Sequence, residues 1–148
     1  MPHFTLQVDA AGPIVNLTVH VSEARRAALE AEGRPIPPPR VLRGLVDTGA
    51  SFTSIEPAVL QALELAPTGT IDIVTPSTGA AVHTTNTYDV DIVIYAAQGD
   101  PPLSISNLEV GACELYLQQG IHALIGRDIL RKCVLIYNGG QKTFTLAF

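Results

Sequence analysis

The residues with the clearest chemical content end an apolar segment and read Gly44-Leu45-Val46-Asp47-Thr48-Gly49-Ala50-Ser51. A carboxylate placed where a buried strand stops is partly desolvated, which favours acid–base chemistry at Asp47. The hydroxyl of Thr48 can hydrogen-bond neighbouring backbone, and Gly49 lets main chain approach a ligand closely. These properties suit an active site. Average composition gives such a triplet a chance of roughly 3% in a chain of this length, so the triplet alone also fits an ordinary turn.

A second segment, far downstream, favours the active-site interpretation over an ordinary turn. Two large aliphatic residues precede a glycine and a short helical pattern in Ala123-Leu124-Ile125-Gly126-Arg127-Asp128-Ile129-Leu130. Together the two segments resemble the aspartic peptidases, in which an apolar-apolar-Asp-Thr-Gly strand is crossed by an apolar-apolar-Gly segment. In the retropepsin-like, or retroviral-type, members the following helix commonly begins Gly-Arg, as it does here. The resemblance covers the chain from about Ile14 to the C-terminus.

The resemblance implies a mainly β, closed retropepsin-like barrel with one or two short helices and a flap hairpin. It makes Asp47 the catalytic residue, Thr48 the brace between two such loops, and Gly49 a residue whose carbonyl accepts a hydrogen bond from substrate backbone. The residues expected to support the active site are Thr48, Gly49, Ala50, Ile125, Gly126 and Arg127. Those expected to bind substrate are Gly49 and Ser51, with Pro76, Ser77, Thr78, Gly79 and Ala80 at the flap tip.

A single chain cannot complete this chemistry, because peptide hydrolysis by carboxylates needs one ionised and one protonated group. The chain contains only one Asp-Thr-Gly triplet, at Asp47. A two-fold homodimer would supply the second carboxylate. The resemblance therefore implies an aspartic endopeptidase that uses water, no cofactor, and peptide or protein substrates. The alternative is a peptide-binding or dimerisation module that keeps the fold and has weak or no turnover.

Two departures from the retroviral pattern affect these expectations. Retroviral enzymes usually carry an aspartate where this chain has Ser51, so Arg127 lacks its usual partner and is expected to pair with Glu56 or to face solvent. The second departure is a probable insertion at residues 22–40, which combines an alanine-rich helix with a proline run. It is either a solvated decoration or a surface for a partner, and the first interpretation is favoured.

Composition and charge bound the remaining possibilities. The chain has 148 residues, of which 47% are hydrophobic and 16% charged, which suits a single domain with an aliphatic core. The net charge is −5 and the basic residues are scattered, so nucleic acid is not expected as a partner. No export signal is visible and no apolar run reaches the length of about 18 residues needed for a membrane span. A cytoplasmic protein without a membrane partner is expected.

Cysteines and histidines give no sign of a metal site. Cys113 and Cys133 are interpreted as reduced core residues, although the sequence also allows them to pair. The four histidines share no ligand-type spacing with each other or with the cysteines, so no metal is expected; they are His3, His20, His83 and His122.

Periodicity predicts the elements that must position these residues. Residues 4–8 and 14–21 are predicted as a strand pair around a turn at residues 11–13. A helix is expected between an N-cap at Ser22 and a stop at Gly33, and a second, two-turn helix at residues 56–63. Further strands are expected at residues 41–46, 71–74, 81–95, 103–110, 122–125, 134–137 and 143–147, with a helical turn or two at residues 127–132. Residues 4–8 and 143–148 are expected to leave open sheet edges that pair across a dimer axis.

Overall fold

Alternating apolar and polar residues give most of the strands one face that packs into a common core. The computed structural model describes residues 1–74, 79, 81–115 and 119–148. Within these residues the strands are β1 (His3–Gln7), β2 (Ile14–Val21), β3 (Arg40–Val46), β4 (Ser54–Ile55), β5 (Gly69–Ile73), β6 (His83–Ile94), β7 (Leu103–Ala112), β8 (Ala123–Ile125), β9 (Val134–Asn138) and β10 (Thr143–Ala147). The helices are α1 (Glu23–Ala31), α2 (Pro57–Ala62) and α3 (Arg127–Leu130).

Six of the strands close into a barrel. Their order is β2, β3, β8, β4, β7 and β6, and β6 pairs back onto β2 to complete the ring. Strand β5 is added to the outer edge of β6 in antiparallel register. The pairing of β3 with β8 is parallel and ends at Val46 opposite Ile125. This pairing places the Asp-Thr-Gly segment directly beside the apolar-apolar-Gly segment, as the resemblance implied.

The barrel is filled by aliphatic side chains from strands that are far apart in sequence. Leu17 and Val19 of β2, Ile92 and Ile94 of β6, and Val110 of β7 have no exposed surface. Burying a side chain of this kind stabilises a fold by about 1.5–3 kcal/mol relative to its exposure to water. The core therefore holds the ends of β3 and β8 in fixed positions.

A second sheet of order β1-β10-β9 joins the two ends of the chain. Its inner face carries Phe144 and Leu146, which are fully buried, and the ring of Phe4 meets that of Phe144 edge-on at 6.4 Å between centroids. The predicted pairing of β1 with β2 is wrong. Strand β2 is buried on both faces and takes two barrel neighbours, β3 and β6, while the turn between β1 and β2 forms only an isolated bridge from Asp9 to Gly12.

The expected open edges are also partly wrong. Strand β10 has a partner on each side, β1 and β9, so the C-terminal strand is central rather than an edge. In this sheet of the described chain the edges are β1 and β9. Strand β9 exposes three large apolar side chains, Val134, Ile136 and Tyr137.

The helices agree with the sequence signals. Ser22 caps α1 through its Oγ, which accepts a hydrogen bond from the Arg25 amide at 3.2 Å, and Gly33 follows the helix with a φ of +65°. Helix α2 begins with Pro57, where the missing N–H leaves no gap in bonding. None of the helices in the described ranges is both long and apolar enough to cross a membrane.

The last two predicted strands are confirmed, and they form a hairpin. Strands β9 and β10 pair antiparallel, with Asn138 opposite Thr143. Asparagine and glycine are the residues that adopt positive φ most readily, but the left-handed residue in this connection is Lys142, at 54°. A four-residue loop joins the strands, and the Asn138 side chain closes it by accepting the Gln141 amide at 3.0 Å.

Candidate active site

Asp47 lies at the point where β3 leaves the barrel. Its amide donates to the Ile125 carbonyl at 3.0 Å, which continues the backbone pairing of the two motif segments beyond the end of β3. The chain then turns sharply, because the Ala50 amide donates to the Asp47 carbonyl at 3.2 Å and the Gly49 amide donates to Asp47 Oδ1 at 2.9 Å. One carboxylate oxygen is therefore oriented by backbone, and the half-buried side chain is held at the mouth of a cleft.

Arg127 holds this loop from the side. Its backbone amide donates to the Ala50 carbonyl at 2.9 Å, and Nη2 donates to Ser51 Oγ at 2.9 Å. Nη1 donates to the Thr48 carbonyl at 3.2 Å and lies 3.5 Å from the Gly49 carbonyl. The expected pairing of Arg127 with Glu56 is therefore wrong. Arg127 is exposed, as the second alternative expected, but its guanidinium is bonded to the loop. The serine hydroxyl and loop carbonyls accept its hydrogen bonds, and Glu56 instead accepts the Leu115 amide at 2.7 Å.

A buried network behind the loop was missed by the sequence analysis. The Thr53 side chain donates to Asp128 Oδ1 at 2.8 Å and accepts the Gly126 amide at 3.1 Å. The Thr53 amide donates to Asp128 Oδ2 at 2.8 Å, and the Ile129 amide donates to Oδ1, also at 2.8 Å. Asp128 thus ties the start of α3 to the strand that follows the Asp47 loop. A carboxylate in the first turn of a predicted helix is the sequence signal that could have indicated it.

Gly126 permits this close packing. A Cβ atom at that position would lie 2.5 Å from the carbonyl oxygen of Phe52. Any side chain would push α3 away from the segment that carries the Asp47 loop. The glycine of the second motif is therefore a packing requirement, and Ile125 beside it is fully buried.

A cavity of about 690 Å³ opens next to Asp47. Its walls are mainly apolar, and β5 forms one of them. The lining residues are Asp47, Gly49, Ala50, Ser51, Phe52, Ser54, Ile71, Asp72, Ile73, Val74, Cys113 and Leu124. The arrangement can hold an extended chain with an apolar side chain against Phe52 and Leu124, while a single carboxylate faces it from the loop.

The residues predicted to bind substrate are only partly brought together. Gly49 and Ser51 line the cavity, and β5 with β6 forms the predicted hairpin beside it. Gly79 is exposed in a turn at a φ of +60°, where a side chain would be strained. The other predicted tip residues lie outside the described residues: Pro76, Ser77, Thr78 and Ala80.

Both cysteines are free and half-buried. Burial raises the pKa of the Cys113 thiol above its usual value, and the carboxylates of Glu56 and Glu114 raise it further. Burial also raises the pKa of Cys133, although Lys132 opposes the shift. Both thiols are thus held in the protonated, unreactive form at neutral pH. Across the described part of the chain, no group of three or more His, Cys, Asp or Glu side chains is arranged to hold a metal ion.

The fold is similar to that in the crystal structure of a retropepsin-like aspartic protease from Rickettsia conorii. The TM-score is 0.56, and the similarity covers 99% of this chain and 90% of that one. The sequence identity is 12%, so the likeness concerns the fold. No protein-family model and no curated protein matches the sequence.

The predicted fold class is confirmed. The chain is a mainly β protein with a closed six-stranded barrel of the retropepsin-like kind and three short helices among its described residues. Its one Asp-Thr-Gly segment lies at the end of a barrel strand beside a large cleft.

Proposed function

We propose that the protein is an aspartic endopeptidase that acts as a homodimer, with Asp47 from each subunit in the catalytic pair. The observation that carries the proposal is the position of Asp47. It follows the last residue of β3, one carboxylate oxygen is held by the Gly49 amide, and the side chain faces a mainly apolar cavity of about 690 Å³. A cavity of this size fits a short stretch of extended peptide.

In the proposed mechanism two carboxylates share one proton, because close like charges prevent both from ionising. The ionised Asp47 takes a proton from the attacking water, and the protonated Asp47 of the second subunit donates a hydrogen bond to the scissile carbonyl. The tetrahedral intermediate then collapses as the amine leaves with a proton. No cofactor takes part in these steps.

The remaining site residues would position the reactants. Thr48 is exposed beside Asp47, which suits contact with the same loop of a second subunit. The Gly49 carbonyl receives only a long 3.5 Å contact from Arg127, so it stays able to accept a hydrogen bond from a substrate amide. The hairpin of β5 and β6 would fold over the bound peptide.

Subunit contact would use the edges of the terminal sheet. Strand β9 exposes Val134 at 48% and Ile136 at 58% of their surfaces, and both point to the same face because they are two residues apart. An apolar edge strand with unpaired backbone groups is a natural template for a second chain. Pairing across a two-fold axis would bury this edge.

The test compares wild type with Asp47→Asn on a denatured protein mixture, with and without a pepstatin-type inhibitor. Loss of general acid–base catalysis should lower the rate by about 10²–10⁴-fold. The matched control is Asp100→Asn, which makes the same change at an exposed loop residue and should leave the rate unaltered. Equal activity of wild type and Asp47→Asn would exclude the endopeptidase, and a folded wild type that binds peptide without cleaving it would favour the binding module.

A further inference from the structure

Residues 34–40 connect α1 to β3 and read Arg34-Pro35-Ile36-Pro37-Pro38-Pro39-Arg40. Each proline fixes φ near −65°, and each residue before a proline is held in the extended region. The segment is thereby restricted to polyproline II or closely related extended backbone. In agreement, residues 34–39 form neither helix, turn nor strand, and Arg40 is the first residue of β3.

One end of this proline segment is held by helix α1 and exposed ion pairs, and the other end by the barrel. The Arg34 amide donates to the carbonyl of Leu29, a fully buried residue, at 2.9 Å. The Arg34 guanidinium lies 3.3 Å from the Glu32 carboxylate and 3.8 Å from that of Glu64. At the other end Arg40 pairs with Val19 in the barrel. A segment held in this way loses little conformational entropy when a partner binds it.

The exposure of the segment follows the polyproline II repeat. This helix has three residues per turn, so residues three apart share an edge. Pro35 and Pro38 form one edge, and Ile36 and Pro39 form a second; all four are exposed. Pro37 lies on the third edge and is half-buried. Two adjacent apolar edges therefore face solvent, which is more than a stiff connection between α1 and β3 requires.

We propose that residues 34–40 are a docking segment for a protein partner whose domain binds polyproline II helices in a groove lined by aromatic rings. Pro35 and Pro38 lie one turn apart, about 9 Å at 3.1 Å per residue, and present flat apolar rings to such a groove. In sequence the segment completes the pattern Pro-x-x-Pro-x-Arg. Arg40 is already the first residue of β3, outside the polyproline II stretch, but it is exposed, and its side chain can meet an acidic side chain at the end of the groove. The partner is an SH3-type domain with an acidic rim.

The experiment titrates the full chain with a purified SH3 domain that binds Pro-x-x-Pro-x-Arg peptides, followed by calorimetry and amide chemical shifts. Saturable binding with one domain per chain is expected, with the largest amide shifts at Arg34, Ile36 and Arg40, the residues of the segment that carry an N–H. Replacing both Pro35→Ala and Pro38→Ala should weaken binding at least about tenfold, a loss of about 1.4 kcal/mol. The matched control replaces the adjacent exposed prolines of another loop, Pro101→Ala with Pro102→Ala, and should leave binding unchanged.

A free peptide of residues 34–40 tests whether the sequence itself binds the domain, independently of its exposure in the folded chain. If the peptide binds and the folded chain does not, the barrel blocks the segment and the proposal is overturned. Absence of binding by both, or full binding by the double variant, also overturns it. The variant Ile36→Glu, which places a charge on an exposed edge, serves as a second test if the double variant does not fold. Peptidase activity is measured separately, because binding of the SH3 domain does not depend on it.

Discussion

Strand β3 carries a loop of different character at each of its ends. At its C-terminal end the Asp47 loop is tied to a segment far away in sequence by Arg127, whose side chain and amide donate to loop carbonyls and to Ser51. At its N-terminal end the insertion, residues 22–40, is held mainly by contacts close in sequence, such as the Ser22 cap, and by exposed ion pairs of Arg34. One strand thus joins the Asp47 loop, which is held by hydrogen bonds from a distant segment, to a largely exposed insertion.

The two ends of β3 differ in how firmly their polar groups are fixed. Behind Asp47, buried or half-buried polar groups are satisfied by one another, as Thr53 is by Asp128 and the Gly126 amide. Groups of this kind cost about 1–3 kcal/mol each when a partner is removed, so they fix the loop in one geometry. The ion pairs of the insertion are exposed, and such pairs contribute little to stability. Substitutions near the Asp47 loop should therefore lower stability more than substitutions in the insertion.

The largest effect is expected for Gly126→Ala. The new Cβ would lie 2.5 Å from the Phe52 carbonyl oxygen, and because the contacting atoms are backbone, no side-chain rotation can relieve the contact. Overpacking of this kind costs about 1–3 kcal/mol and occasionally more, so we expect a strongly destabilised or unfolded chain. The measurement is denaturant unfolding followed by circular dichroism.

The control for that variant is Gly139→Ala in the final hairpin. A Cβ there would be 3.8 Å from the Tyr137 ring, an ordinary contact, so stability should change by less than about 0.5 kcal/mol. Equal stability of Gly126→Ala and wild type would show that the two motif segments are not in tight contact.

The second prediction concerns the dimer that the Asp47 loop needs. When wild type is refolded with a ninefold excess of Asp47→Asn and subunits mix at random, activity per wild-type chain should fall to about one tenth. A mixed dimer keeps one ionisable carboxylate and one amide, which cannot exchange the proton that the reaction requires. Native mass spectrometry must confirm the mixed dimers, and constant activity in their presence would overturn the shared pair.

Thr53→Val tests the buried network with a smaller change. Valine keeps the shape of the fully buried threonine but removes the hydroxyl that donates to Asp128 and accepts from the Gly126 amide. The loss should be about 1–3 kcal/mol. Thermal unfolding measures it, at about 2–4 °C per kcal/mol for a chain of this size.

Thr5→Val is the matched control for that substitution. Thr5 is exposed on the terminal sheet, and its hydroxyl pairs with that of Thr145 at 2.7 Å. Water can replace this bond, so the melting temperature should change little. A similar loss in both variants would mean that the network behind Asp47 has no special role.

The sequence predicts what is local and misses what depends on packing. The run ending at Asp47, the cap at Ser22 and the final hairpin each carry their signal within a few residues, and the structure has all three elements. The bonds of Arg127 and the pairing of β1 with β10 join residues that only the completed barrel brings together. Periodicity shows that a strand has two buried faces, but it does not show which neighbours cover them.

The smallest effect on chemistry is expected from removing the insertion. Replacing residues 23–39 with a short Asn-Gly turn should leave cleavage of small peptides nearly unchanged, because seven-residue β3 puts the turn about 20 Å from Asp47. Leu29 is fully buried, so its loss should lower stability modestly even though the rest of the insertion is largely exposed. The variant should therefore keep its cleavage rate on a short peptide while its melting temperature falls. A folded variant without turnover would show that the insertion contributes to the active site at Asp47.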